Sequence, residues 1–190
     1  MHKILLLCLF MMTFHFCTSQ KAATTSKPPE ASHGQAAGIK YDPIQIKYAK
    51  YLHVSPNEIT SLSLYRFIDD WLGTPYLWGG TTKKGIDCSA FVQTLLLHVY
   101  DINVVIPRTS IEQFLKDWIK RFYLIKYLAE GDLIFFRTNK NKLISHIGLY
   151  LKNGMFVNSS SKGVSIASIY DPYWRKKMVA FGRIKLSARK

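Results

Sequence analysis

Cysteine is scarce in this chain of 190 residues, which has only Cys8, Cys17 and Cys88. Three thiols are too few for a disulfide-stapled mini-protein, and no pair has CxxC spacing, so a structural zinc site is excluded. Acidic residues are also few: 12 Asp and Glu stand against 26 Lys and Arg, a formal net charge of +14. Such an excess suits nucleic acid, a membrane surface or an anionic polymer, and does not choose among them. Long hydrophobic runs are missing as well. The longest, Ile4 to Met12, has nine residues, against about 20 for a lasting membrane span. Core-forming material is plentiful, with 48% hydrophobic and 14% aromatic residues. That composition lies outside the signature of disorder, and the length suits one domain or one domain with a short appendage.

The first 19 residues place Lys3 before the apolar run and small residues Cys17, Thr18 and Ser19 after it. This pattern predicts an export signal over residues 1–19 rather than a buried helix, because a polar, low-complexity stretch comes directly after it. Without it the chain carries 25 basic and 12 acidic residues, a net of +13, and retains only the Cys88 thiol. Cleavage just before Cys17 is the alternative and would leave that residue as a lipid attachment point and membrane tether; the bulky Phe14-His15-Phe16 ahead of it is unlike the small residues usual there. Residues 20–38, rich in Ala, Ser, Thr, Pro and Gly, read as a flexible linker. The folded body is expected over residues 39–190.

Within that body, Ile44 to His53 and Ser63 to Leu72 have helical apolar spacing, and Gly73-Thr74-Pro75 ends the second. Phe91, Val92, Leu95, Leu96 and Val99 form a stripe on a helix from Cys88 to Tyr100, with Asp87 as N-cap. Another helix is expected from Thr109 to Ile119. From Gly131 onward, short runs of Ile, Val, Phe and Tyr punctuated by Asn141-Lys142, Asn153-Gly154 and Lys162-Gly163 predict a strand meander. Helices first and strands second give an α+β class, with N-terminal helices packed on a C-terminal antiparallel sheet.

Cys88 falls in the first turn of its helix. There, free backbone N–H groups and the positive end of the dipole favour a thiolate and offer an oxyanion site. The alternative is a small buried hydrophobe. A nucleophile needs a base and a group to orient that base. His33 lies in the linker and His53 ends a helix, while His98 is about 15 Å along the axis from Cys88. His146 remains. Ile147, Leu149 and Leu151 alternate onto one strand face; His146, Gly148 and Tyr150 take the other, toward a second surface where a helix can pack over Gly148. A two-residue Asn153-Gly154 turn would pair Leu149 with Asn158. A three-residue Lys152-Asn153-Gly154 loop pairs Leu149 with Val157, buries apolar against apolar, and puts Asn158 diagonal to His146. Its side-chain oxygen is then expected to hold the imidazole Nδ1–H, although a solvated hairpin residue would fit the same pattern.

Six ordered strings carry a family likeness: Gly73-Thr74-Pro75-Tyr76-Leu77-Trp78-Gly79-Gly80; Gly85-Ile86-Asp87-Cys88-Ser89-Ala90-Phe91-Val92; Ile106-Pro107-Arg108-Thr109-Ser110 with Gln113; Gly131-Asp132-Leu133-Ile134-Phe135-Phe136; His146-Ile147-Gly148-Leu149-Tyr150; and Phe156-Val157-Asn158-Ser159-Ser160. Together they resemble the NlpC-type cysteine peptidases that cut peptidoglycan stem peptides. The closing Asp171-Pro172-Tyr173-Trp174 is similar to that of the Spr-like murein endopeptidases. The resemblance implies a papain-like core with Cys88 as nucleophile, His146 as base and Asn158 in a third position more often filled by His. It also implies that Tyr76 stands beside the nucleophile, and that Asp87 and Ser89 match positions which in some members hold the substrate amine; Asp87 can equally be only a helix cap. Ala90 stands where the family usually has Gly.

On this resemblance the chain is expected to be an exported hydrolase of the periplasm or cell envelope that cuts peptidoglycan through a Cys88 thioester, with no metal or cofactor. An amidase or acyltransferase would share its catalytic residues, and an inactive wall-binding module would not need them. Nucleic acid is not expected as a partner, because the basic residues are scattered rather than gathered on one element.

Overall fold

The computed structural model describes residues 40–100, 102, 104–185 and 187. The expected export signal, the linker and Cys17 lie outside the described residues. The described part belongs to a unit spanning Ile39–Lys190. Its elements are α1 (Pro43–Leu52), α2 (Leu62–Trp71), the two-residue strands β1 (Thr81–Thr82) and β2 (Gly85–Ile86), α3 (Cys88–Val99), α4 (Ser110–Leu115), β3 (Ile119–Phe122), β4 (Leu133–Phe136), β5 (His146–Tyr150), β6 (Met155–Ser160), β7 (Gly163–Ser168), α5 (Pro172–Lys177) and β8 (Met178–Ile184). Among the described residues no helix is long and apolar enough to cross a membrane.

Side-chain caps start α1 and α3. Asp42 caps α1 in a capping box with Gln45, and the Asp87 side chain accepts from the Ala90 N–H at the start of α3. Gly73, at φ +80°, turns the chain after α2, and its N–H donates to the Val164 carbonyl of β7.

The sheet is six-stranded and antiparallel, in the order β3-β8-β4-β5-β6-β7. The expected meander holds for β4 to β7, but the last strand returns to lie between β3 and β4. The helix expected from Thr109 to Ile119 is shorter than its periodicity suggests. It ends at Leu115 with Lys116 extended, and Ile119 instead pairs with Ile184 of β8. Burial of Ile119 beside a strand that lies far along the sequence overrides local helical preference.

Both faces of the central strands are covered. On one, Leu133, Phe135, Ile147, Leu149 and Val157 pack with Phe91, Val92, Leu95 and Leu96 of α3 and with α2. On the other, Ile134, Phe136, Phe156, Ile169 and Phe181 form a smaller cluster roofed in part by Trp174 of α5. The helix expected on the His146 face of β5 is α5, through Trp174, while α3 lies on the aliphatic face. The space that Gly148 leaves is filled by the Phe156 ring, which a Cβ there would meet at 2.7 Å. Burial on both sides explains the unbroken apolar run Leu133-Ile134-Phe135-Phe136.

The β5–β6 hairpin takes the three-residue loop. Leu149 pairs with Val157 and Tyr150 with Phe156. The Leu151 N–H donates to the Met155 carbonyl at 2.9 Å, and Asn153 and Gly154 both sit at positive φ, +50° and +75°. Asn153 tolerates that conformation while its side-chain amide donates to the Leu52 carbonyl of α1.

Candidate active site

Cys88 is the first residue of α3 and 7% exposed; His146 opens β5 and is 6% exposed. They meet through the backbone, where the N–H of Ile147, the residue after His146, reaches the Cys88 sulfur. The N–H groups of Cys88 and Ser89 face the same sulfur. Farther along the turn, the Ala90 N–H is taken by the Asp87 side chain and the Phe91 N–H by the Asp87 carbonyl. The first two N–H groups are thus the ones placed for a charge developing at the sulfur or at an oxygen bonded to its neighbour.

The expected influence of the helix start is present but does not prevail. Burial is the largest effect on Cys88 and, with the Asp87 charge, pushes its thiol up to about 11 despite the three N–H contacts. His146 is moved the other way. Burial lowers it to about 4, against the hydrogen bond to Asn158 and the charge of Asp87. Both shifts favour a neutral thiol and a neutral imidazole in the free protein.

Asn158, fully buried on β6, has its Oδ1 3.1 Å from the Nε2 of His146. Partner and register agree with the sequence reading; the ring nitrogen does not. Asn158 stands on the neighbouring strand, within reach of the distal Nε2. Nδ1 is the ring nitrogen nearer its own backbone, and the next backbone N–H, that of Ile147, is the group bonded to the Cys88 sulfur. Since Oδ1 can only accept, Nε2 carries the proton and Nδ1 presents a lone pair. Trp174 stacks on the imidazole with ring centroids 5.1 Å apart and planes 25° apart, and Phe136 supports it at 5.7 Å.

Asp87 and Ser89 lie on the Cys88 side. The Asp87 carboxylate accepts from Arg108 through both oxygens (2.9 and 2.6 Å), from the Ser89 hydroxyl, and from the Gly79 and Ala90 N–H groups. Burial opposes its ionisation, but these bonds and the Arg108 charge outweigh burial and hold it below the ordinary carboxylate range. Its oxygens are thus engaged in capping α3, holding Arg108 and tying down the Gly79 N–H. Tyr76, bridged to Ile86 through the backbone, has its phenol raised by burial and then by Cys88 and Asp87.

Two cavities meet at this point. A cleft of about 740 Å³ is lined by His146, Asn158, Tyr76 and Trp174, and one of about 340 Å³ by Cys88, Asp87, Ser89 and Arg108. Trp78, Lys142 and Ser145 belong to both walls. Arg108, Trp174 and Lys142 received no role from the sequence. Arg108 and Trp174 fall inside recognisable strings, whereas Lys142 has no signal beyond its charge. No group of three or more metal-ligating side chains occurs among the described residues.

A sequence model of the NlpC/P60 family matches residues 73–183. A probable endopeptidase NlpC homologue of Haemophilus influenzae is 40% identical over 117 residues, covering 61% of this chain and 58% of its own. The murein DD-endopeptidase and LD-carboxypeptidase MepS of Escherichia coli K12 is 31% identical over 162 residues, 85% of this chain and 80% of its own. Among solved structures, an NlpC/P60 family protein of Bacillus cereus superposes with a TM-score of 0.56 at 27% identity, covering 66% of this chain and 40% of that one. The NlpC/p60 domain of the peptidoglycan hydrolase SagA superposes with a TM-score of 0.53 at 20% identity, covering 66% and 100%. The chain thus spans little more than half the length of the Haemophilus relative and four fifths of MepS.

Proposed function

The chain belongs to the NlpC/P60 family, and from that premise we propose that it is a cell-wall hydrolase, a cysteine endopeptidase of peptidoglycan with Cys88 as nucleophile, His146 as base and Asn158 as orienting group. The observation that carries the assignment of roles is the buried His146–Asn158 hydrogen bond, set where the Ile147 N–H meets the Cys88 sulfur. The relatives named as murein and NlpC endopeptidases support the substrate.

Nδ1 of His146 takes the Cys88 proton as the sulfur bonds to the carbonyl carbon of a stem-peptide or cross-link amide. The resulting oxyanion is received by the N–H groups of Cys88 and Ser89. The imidazolium then gives its proton to the leaving nitrogen, the C–N bond breaks, and a thioester remains. Water, deprotonated by the same Nδ1, attacks that thioester; the acid leaves and the proton returns to sulfur. Throughout, Nε2–H stays on Asn158, which fixes the tautomer and stabilises the imidazolium without taking the proton. Tyr76 borders the site, while Asp87 and Ser89 act through Arg108 and the helix start, so a role in holding a substrate amine requires Arg108 to be displaced.

Digestion of defined muropeptides with mass spectrometry of the products tests this reading. Cys88→Ala and His146→Ala are expected to lower turnover by at least about a hundredfold, and Asn158→Ala by less. Full activity in Cys88→Ala ends the proposal, and fragment masses identify the bond cut. An envelope or exported location accords with such a substrate. To it we add, as proposals, that residues 1–19 are removed as an export signal and that the product is not lipidated at Cys17.

A further inference from the structure

Opening of the thiol and the imidazole onto different cavities gives a bound substrate a direction. The new C–S bond forms at the acyl carbon, so the acyl half lies in the smaller cavity over Cys88. The proton from His146 goes to the leaving nitrogen, so the amine half runs into the larger one.

Charge divides the same way. In the smaller cavity Arg108 is held by Asp87 at 2.6 Å. The larger cavity has Lys142 and Lys162 in its wall, with the Ser160 and Ser161 hydroxyls near by. Neither lysine has a carboxylate partner among the described residues. The wall's one acid, Asp171, uses Oδ1 to accept from the N–H groups of Tyr173 and Trp174 at the start of α5. Lys142 lies over the Trp78 ring, 5.5 Å from its centroid, on the ridge where the cavities meet. The larger cavity thus has two lysines against one carboxylate in its wall, an excess of positive charge beside the leaving-group half of the substrate, with Lys142 at the junction.

Resting on the peptidase reading, we propose that the His146-side cavity is an amine-side subsite for a residue bearing a free carboxylate, which Lys142 and Lys162 hold by charge-assisted hydrogen bonds. A carboxamide in its place keeps the shape but forfeits the charge, so the subsite separates amidated from unamidated substrates.

The test uses two synthetic muropeptides that differ only in carrying a carboxylate or a carboxamide on the amine-side residue. These are cleaved by the full chain and by Lys142→Gln, Lys162→Gln and the double variant. The unmodified protein is expected to favour the carboxylate by about fivefold in kcat/KM, mostly through KM, as for partly screened ion pairs. Added salt should shrink that preference, and the double variant should lose it. Equal kcat/KM for both substrates in the unmodified protein, or a preference that survives the double substitution, overturns the subsite and leaves the peptidase reading intact. Cleavage of neither peptide by protein that is folded by circular dichroism overturns both.

Discussion

At the scale of single residues, burial governs the protonation of the Cys88 and His146 pair. A thiol at a helix start is stabilised as thiolate by N–H groups and the dipole, yet removing Cys88 from water costs the anion more than those contacts return. The imidazole is disfavoured as a cation by the same burial. Both shifts feed into stability through proton linkage. His146 falls to about 4 in the folded chain from an ordinary value of 6.5, so between those values the unfolded chain binds a proton that the folded chain does not. Stability is complete above pH 6.5 and declines as pH falls toward 4, with an upper bound of about 3 kcal/mol from this group. Cys88 rises to about 11 from 9.0, so the unfolded chain loses its proton first and stability declines as pH rises through that window. Urea unfolding across pH should show a plateau between about 6.5 and 9. His146→Gln should flatten the acidic slope and Cys88→Ser the alkaline one; slopes unchanged by these substitutions would falsify the assignment.

At the scale of elements, α5 is short but carries the ring that stacks on the His146 imidazole. Asp171 caps it, Pro172 opens it, and Trp174 is thereby set on the imidazole and over Phe136 and Phe156. The indole both excludes water from the His146–Asn158 bond and limits rotation of the ring. Trp174→Ala should admit water, let the imidazole return toward 6.5, and raise the acid limb of the kcat/KM profile with it, along with a loss in kcat; Trp174→Phe should keep most of both. NMR titration of the His146 ring protons provides the independent check, and an acid limb that does not move in Trp174→Ala removes the indole from the mechanism. The β5–β6 hairpin is the other decisive element. Its three-residue loop sets the register that buries Leu149 against Val157 and puts Asn158 across from the base; a slip of one residue would turn the amide to the opposite face.

For the whole molecule, the antiparallel sheet ties the site together from distant parts of the chain. Strand β8 enters between β3 and β4, and the turn after α2 is bonded to β7 through the Gly73 N–H and the Thr74 carbonyl. Cys88 is held by α3 packed on one face of the sheet, while His146 is held from the other. The site thus depends on the folded body as a unit. Outside that body, the proposal for residues 1–19 makes a prediction about the exported protein. Its intact mass should correspond to a chain that starts after Ser19 and carries no lipid; a diacylglycerol mass on Cys17 would replace this picture with a tethered form.

Cys88, His146 and Asn158, the helix that presents the thiol, and the register of the hairpin were all legible in the sequence, because each depends on short-range regularities: helical spacing, strand alternation, a cap and a turn. The α+β class came from the order of those elements. Tertiary structure alone decided which ring nitrogen meets Asn158, which face of β5 receives α3, that Ile119 joins a strand, and that burial outweighs the helix dipole at Cys88. It also decided that Asp87 is committed to Arg108 and that Lys142 stands between the two cavities. The physical reason is common to all of them. Desolvation, ring orientation and charge pairing are set by atoms brought close in space from far apart along the chain, and periodicity carries no record of those distances.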